Sequence, residues 1–325
     1  MNGPDITGLL VLDKPAGMTS RAAVDRVQRW FPRRTRIGHA GTLDPLATGV
    51  LVLCLGGSTR LIEYVQRMNK VYRTRFLLGA QSDSDDADGT VTPVSGAVAA
   101  DAATLAACLA AFVGTIEQVP PAFSAAKVAG QRAYDLARRR EEVSLSPRPV
   151  QIHAIDILDY TYPHLDLEVR CGKGTYIRSL ARDVGARLAC GALVQTLRRT
   201  RIGSFTAEEA LTLDAGAETA YAHLLPAERA VADLPRIVLG DSERKRLGQG
   251  QAVAVPSGER RRAGSVSDGC GSVANASGSS SLAARHSPLA TPEVAVFDAA
   301  GRLAAVALLD PQRQLLQPAK VLQSK

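Results

Sequence analysis

Long apolar runs are missing from this chain: none of its 325 residues sits in a stretch approaching the roughly 18 needed to cross a bilayer. The start, Met1 to Asp5, lacks the basic and apolar regions of a secretory signal, so a cytoplasmic protein with no membrane partner is expected. Cysteine is sparse and odd in number, with five residues (54, 108, 171, 190 and 270) and no CxxC pair. That pattern suits reduced thiols and argues against a cysteine-built zinc site. The five histidines show no ligand spacing, and neither HExxH nor a Walker A loop occurs. Gln81 to Gly89 looks at first like a calcium loop. Ser84 in the first ligand position and Ser95 where the terminal glutamate belongs exclude that, leaving a solvated acidic turn as the expectation.

What is present is a core and an excess of arginine. Hydrophobic residues make up 46 % of the sequence, enough for one large domain and a small one. The formal charge is +7, with arginines bunched at 21–36, 138–140, 198–201 and 260–262. Such bunching fits phosphate contacts, and equally a solvated surface in an arginine-rich composition.

The densest stretch is Gly38-His39-Ala40-Gly41-Thr42-Leu43-Asp44-Pro45-Leu46-Ala47-Thr48-Gly49. Pro45 biases Asp44 toward extended or turn backbone, and the glycines permit positive φ and close approach. Val50 to Leu55 follows as an apolar run bounded by Gly56-Gly57, a buried strand. A single carboxylate is therefore held on a loop delivered by a core strand, where catalytic groups are often found.

Other elements follow from pattern. Gly8 to Lys14 reads as a strand, and Thr19 or Ser20 caps a helix carrying Val24, Val27 and Phe31. Residues 59–68 read as a short helix and Lys70 to Leu78 as an alternating strand. Asp101 caps an alanine-rich helix, and Leu165 to Val169 is a strand entering Gly172-Lys173-Gly174-Thr175-Tyr176. From Ile177, apolar residues at 177, 180, 181, 184 and 188 mark a helix with Arg178, Arg182 and Asp183 off its apolar face. A cation in a first helical turn opposes the helix dipole, which points to a specific anionic partner for Arg178. Leu234–Leu239 and Glu293–Leu309 read as strands around a Ser, Gly, Ala and Arg-rich insertion at 257–291, expected to be disordered.

The twelve-residue stretch at 38–49 resembles the signature of the TruB family, the tRNA pseudouridine-55 synthases. Leu10 to Ser20, Lys70-Val71-Tyr72-Arg73 and Gly172 to Arg178 match the same family in order. The resemblance implies an α/β (α+β) pseudouridine-synthase fold: a mixed, mainly antiparallel sheet flanked by helices, plus a small C-terminal PUA-like β-barrel. It divides the chain into a catalytic domain at 1–232 and an RNA-binding domain at 233–325. It names Asp44 as nucleophile or base, Arg178 as its partner, and Tyr72 as the residue that stacks on the uracil and takes a proton. His39 would displace the target base; Tyr72, Tyr176 and Leu197 would wall the pocket. Lys14 would support the loop near the substrate, and Lys127 would grip phosphate. Residues 120–150 match a thumb-like insertion that closes over the tRNA T-arm in stand-alone members. The implied enzyme is a monomer that flips one uridine out of tRNA and needs no guide RNA, metal or cofactor. A non-catalytic tRNA-binding or folding factor on the same scaffold is the alternative.

Overall fold

The computed structural model describes residues 6–124, 127–128, 131–132, 145–255 and 291–322. Most of the thumb-like segment, residues 257–290 of the 257–291 insertion and the arginine blocks 138–140 and 260–262 lie outside the described residues. The chain forms two compact units, Met1–Pro226 and Ala227–Lys325.

The first unit begins with β1 (Gly8–Lys14), β2 (Ile37–His39), β3 (Thr48–Leu55) and β4 (Lys70–Leu78). Next come β5 (Ala80–Ser82), β6 (Val91–Pro93), β7 (Gly114–Gln118), β8 (Lys127–Val128) and β9 (Gln131–Arg132). It closes with β10 (Arg148–Thr161), β11 (His164–Cys171), β12 (Ala192–Ile202) and β13 (Phe205–Thr206). One large sheet runs β1-β3-β12-β4-β11-β10-β7, with β2 on β3 and β13 on β12. Every pairing is antiparallel except β3 with β12, which is parallel at Arg198↔Thr48 and Arg199↔Gly49. β3 is buried from Gly49 to Leu55 and reads as a continuous apolar run, as strands covered on both faces do. β4 keeps an alternating pattern, with Arg73 and Arg75 exposed.

The helix Ser20–Val27 starts as expected, with Thr19 accepting a bond from the Ala22 amide, and turns Ala23, Val24 and Val27 inward. Asp101 caps Ala102–Ala110 in the same way. The helix Ile177–Arg187 buries Ile177, Leu180, Ala181 and Val184. These helices and one face of β1 and β3 share one core, in which Leu10, Leu12, Leu51, Leu53 and Leu55 are wholly buried. Each such side chain stabilises the fold by about 1.5–3 kcal/mol.

One element differs from the sequence expectation, and another had none. The 59–68 helix opens as a 3₁₀ turn, Gly56–Leu61, and becomes α-helical only over Ile62–Arg67. The long strand β10 carries no clear alternation, because one end is exposed and bulges interrupt its pairing with β11.

The second unit holds β14 (Arg236–Val238), β15 (Val253–Ala254), β16 (Glu293–Phe297), β17 (Leu303–Asp310) and β18 (Leu315–Val321). They form a five-stranded sheet in the order β14-β16-β17-β18-β15. Its separate core includes Ile237, Leu247, Val294, Val296 and Leu316.

Candidate active site

The loop joining β2 to β3 is fixed residue by residue. Gly41 and Gly49 take φ values of +98° and +99°, the left-handed region the sequence provides for. A Cβ on Gly49 would lie 2.2 Å from the Arg199 carbonyl, so only glycine lets β3 and β12 approach there. Ser20 Oγ, itself buried, accepts from the Leu43 amide at 2.8 Å and donates to the Leu43 carbonyl at 3.0 Å. Lys14 is fully buried, and its Nζ donates to the carbonyls of Pro15 and Met18 at 2.8 Å each and of Pro45 at 3.4 Å. Arg199 donates to the carbonyls of Val50 at 2.8 Å, Gly41 at 3.0 Å and Thr42 at 3.4 Å. Asp44 thus sits on backbone clamped from several elements.

Its partner is Arg178, whose side chain is only 4 % exposed while that of Asp44 is 33 % exposed. Arg178 Nε stands 3.0 Å from Asp44 Oδ2, a close ion pair whose N–H is not aligned as a hydrogen bond. The rest of the guanidinium is committed elsewhere. Nη1 lies 3.3 Å from Asp86 Oδ2 and donates to the Ser84 carbonyl at 3.0 Å; Nη2 donates to the Phe123 carbonyl at 2.8 Å. The anionic partner expected of Arg178 is present, and there are two.

Asp86 corrects the reading of 81–89 as a solvated turn. Its residue is 4 % exposed, and Oδ1 accepts from Ser84 Oγ at 2.6 Å and from the Asp88 amide at 3.1 Å. Asp85, with φ of 60°, pairs with Arg182 at 3.1 Å. The turn packs on β12 through the Ala87 amide to the Val194 carbonyl and the Val194 amide to the Asp85 carbonyl.

Burial pushes the Asp44 carboxyl above the ordinary aspartate range; Arg178 opposes that shift and Asp86 adds to it. Arg178, expected as the partner of Asp44, thus acts in the direction of an ionised carboxylate. Burial outweighs the guanidinium, and Arg178 also lies against a second carboxylate, Asp86.

Asp44 opens on a cavity of about 440 Å³, walled also by Tyr72, Tyr176, Ile177, Arg178, Leu197 and Arg199. That volume falls within the range of small-molecule sites, roughly 300–1,000 Å³. Tyr72 is buried, and burial holds its phenol above the ordinary tyrosine range, so it faces the cavity neutral. Tyr176 is held by the buried Gln118, whose Oε1 accepts from the Tyr176 amide at 2.8 Å while Nε2 donates to its carbonyl at 3.1 Å. Lys70 also lines the cavity, but its Nζ donates to the carbonyls of Gln66 and Met68, and burial brings it down to about 8.

Of the residues expected at the site, Asp44, Tyr72, Tyr176, Arg178 and Leu197 converge on this cavity. His39 ends β2 opposite Leu53 and is not among the cavity's lining residues. Lys14 lies beneath the loop and lines a different cavity, so it supports the loop without walling the Asp44 cavity. Lys127 belongs to the β8–β9 hairpin, paired with Arg132. Sequence reasoning missed Asp86, Gln118, Lys70 and Arg199. For Arg199 a signal existed: it lies two residues beyond Leu197 in a strand, hence on the same face.

Comparison with known proteins accords with this geometry. The family model described as TruB family pseudouridylate synthase (N terminal domain) matches residues 29–177, and the tRNA pseudouridylate synthase B C-terminal domain matches 178–232. The tRNA pseudouridine synthase B of Cereibacter sphaeroides is 48 % identical over 72 % of this chain and 79 % of its own length. That of Ruegeria pomeroyi is 46 % identical over 79 % and 86 %. Among solved structures, a Cbf5-Nop10-Gar1 complex contains a chain with a TM-score of 0.68 at 22 % identity, covering 97 % of this chain and 85 % of that one, a likeness of fold. A loop signature, a two-part domain match and relatives at this identity together place the chain in the TruB family of pseudouridylate synthases.

Proposed function

We propose that this enzyme isomerises uridine 55 in the T-loop of tRNA to pseudouridine, with Asp44 as the catalytic carboxylate. The observation that carries the reading is a partly exposed carboxylate, paired with a buried arginine, at a cavity walled by Tyr72, Tyr176 and Leu197. The reaction breaks the C1′–N1 bond and forms C1′–C5; C5 loses a proton and N1 gains one, so no external electron donor or acceptor is required. Asp44 acts at the sugar or the base while ionised. Arg178 orients it, and the aromatic and aliphatic walls hold the detached base and keep water out. Tyr72, as a neutral phenol, stacks on the base and hands a proton on only as it receives one.

The target base must first leave the folded T-loop, at a cost of a few kcal/mol. Phosphate contacts meet that cost, and the exposed arginines at 26, 29, 33, 34 and 36 are suited to them. The second unit is an added RNA-contacting module of PUA-like type. The sequence relatives are named for tRNA modification, which favours action on tRNA without a guide RNA.

The test is tritium release from tRNA carrying 5-³H-uridine, which reports loss of the C5 hydrogen and not binding. Wild-type protein should release tritium, and Asp44→Asn should lower the rate by about 10³-fold or more with tRNA affinity retained. Tight binding with no release by wild type would overturn the reading and leave a tRNA-binding factor. Because burial raises the Asp44 carboxyl, the acid limb of the rate profile should lie above the pH at which an ordinary aspartate titrates.

A further inference from the structure

Arg199 stands at the point where the two halves of the site meet. It is 1 % exposed and among the largest fully buried side chains. In the sheet it faces Tyr72 across β4 on one side and Gly49 across β3 on the other. Directly opposed residues point to the same face, and both Tyr72 and Arg199 line the cavity that holds Asp44. The guanidinium then crosses beneath the loop to the carbonyls of Gly41, Thr42 and Val50.

Among the described residues the hydrogen bonds of its side chain go to these three carbonyls, with no carboxylate, and its charge lies beside the Tyr72 phenol. A buried guanidinium without a counter-ion is costly to keep, so a hydrophobic residue would serve stability as well or better. Its planar fork offers five N–H donors in fixed directions, which a lysine cannot reproduce. Lys70, buried nearby and bound to the Gln66 and Met68 carbonyls, already supplies a cation to this wall. The distinctive property of Arg199 is therefore its reach.

We propose that Arg199 is a positioning residue that locks Tyr72 and the Asp44 loop into a single register. It does not touch the reacting atoms; it fixes the distance between the carboxylate on one strand connection and the stacking ring on another. This rests on the function proposed above. A shift of one relative to the other by about 1 Å is enough to cost on the order of 100-fold in rate.

The experiment is single-turnover pseudouridine formation on a tRNA transcript by four proteins: wild type, Arg199→Lys, Tyr72→Phe and the double variant. Melting temperature and tRNA affinity are measured in parallel. Arg199→Lys keeps the charge and loses the fork, and it should slow the step by about 10–100-fold with tRNA affinity within about twofold of wild type. Tyr72→Phe removes the phenol oxygen that lies beside the Arg199 charge. In that background the further loss from Arg199→Lys should shrink to less than half of its wild-type value on a logarithmic scale. Equal losses in both backgrounds, an unchanged rate, or a loss seen only as weaker tRNA binding would overturn the proposal. Failure of both Arg199→Lys and Arg199→Gln to fold would also overturn it, by assigning the side chain to the fold as a whole. Absence of product with wild type would instead overturn the proposed function.

Discussion

Two buried arginines wall the same cavity and are held in opposite ways. Arg178 has two carboxylates, Asp44 at 3.0 Å and Asp86 at 3.3 Å. Arg199 is wrapped in backbone carbonyls, and the buried lysines Lys14 and Lys70 resemble it in this. The difference separates two jobs. An arginine shared between carboxylates tunes a charge, because whatever alters one partner changes its pull on the other. A cation tied to carbonyls fixes backbone, because carbonyls do not titrate. The loop that carries Asp44 is built by the second kind, and the charge it presents is tuned by the first against burial.

Removing the first kind should have the largest effect. Arg178→Met leaves Asp44 and Asp86 facing each other with their common counter-ion gone, and breaking a buried pair in this way costs about 3–5 kcal/mol. Urea unfolding should register that loss, and tritium release should fall close to the level of Asp44→Asn. Near-wild-type stability would mean that the 84–86 turn moves away freely, contrary to its pairing with β12.

The backbone side of the comparison can be broken at a glycine. Gly49→Ala would force a Cβ to 2.2 Å from the Arg199 carbonyl in a left-handed conformation, parting β3 from β12 where the loop ends. A loss of about 2–4 kcal/mol is expected. Gly17→Ala is the control: it has φ of +79° with nothing within 4 Å, so only conformational strain remains, about 1 kcal/mol. Similar melting temperatures for the two variants would contradict the close-approach account.

Asp86→Asn is the sharper probe of charge tuning. The amide keeps the shape and removes one negative charge from beside Arg178 and Asp44. Asp86 helps to raise the Asp44 carboxyl, so its neutralisation should move the acid limb of the rate profile to lower pH. The plateau rate should still fall about tenfold, because Arg178 loses one of the two anchors that orient it. An acid limb that stays put would show that burial alone sets the ionisation of Asp44.

How much of this was legible in the sequence follows from distance along the chain. The β1 and β3 strands, the Thr19 and Asp101 caps and the positive-φ glycines of the loop are local features, and pattern reveals them. The anionic partner of Arg178 was inferred from a dipole mismatch, but its second member, Asp86, stands 92 residues away in a segment whose own composition reads as a solvated turn. Only the packing of that turn on Val194 buries it. Arg198, Arg199 and Arg201 look alike as a basic block, yet the strand turns Arg199 inward and leaves Arg201 exposed. Charge clustering was the wrong measure there: alternation from Leu197 turns Arg199 inward, and an irregularity in the pairing with β4 between Arg199 and Arg201 breaks the alternation before Arg201. β10 escaped because exposure and bulges erase its period.

The smallest expected effect concerns Lys14, whose Nζ supports the loop through the carbonyls of Met18 and Pro45. Burial brings this lysine down from 10.5 to about 8, so in the folded protein it carries its burial penalty in full below pH 8. Between about 8 and 10.5 the folded side chain is neutral while the unfolded one is still charged. The unfolded state then binds more protons, and this group adds stability as pH rises through that window. Lys14→Met removes the penalty together with the carbonyl bonds, so at pH 7 its stability should lie within about 2 kcal/mol of wild type. Raising the pH toward 10 should then favour wild type over the variant by on the order of 1–3 kcal/mol. Urea titrations of both proteins at the two pH values decide it. Parallel stability curves would mean that Lys14 stays charged throughout, held so by Asp44, and that even the backbone side of the site answers to its carboxylate.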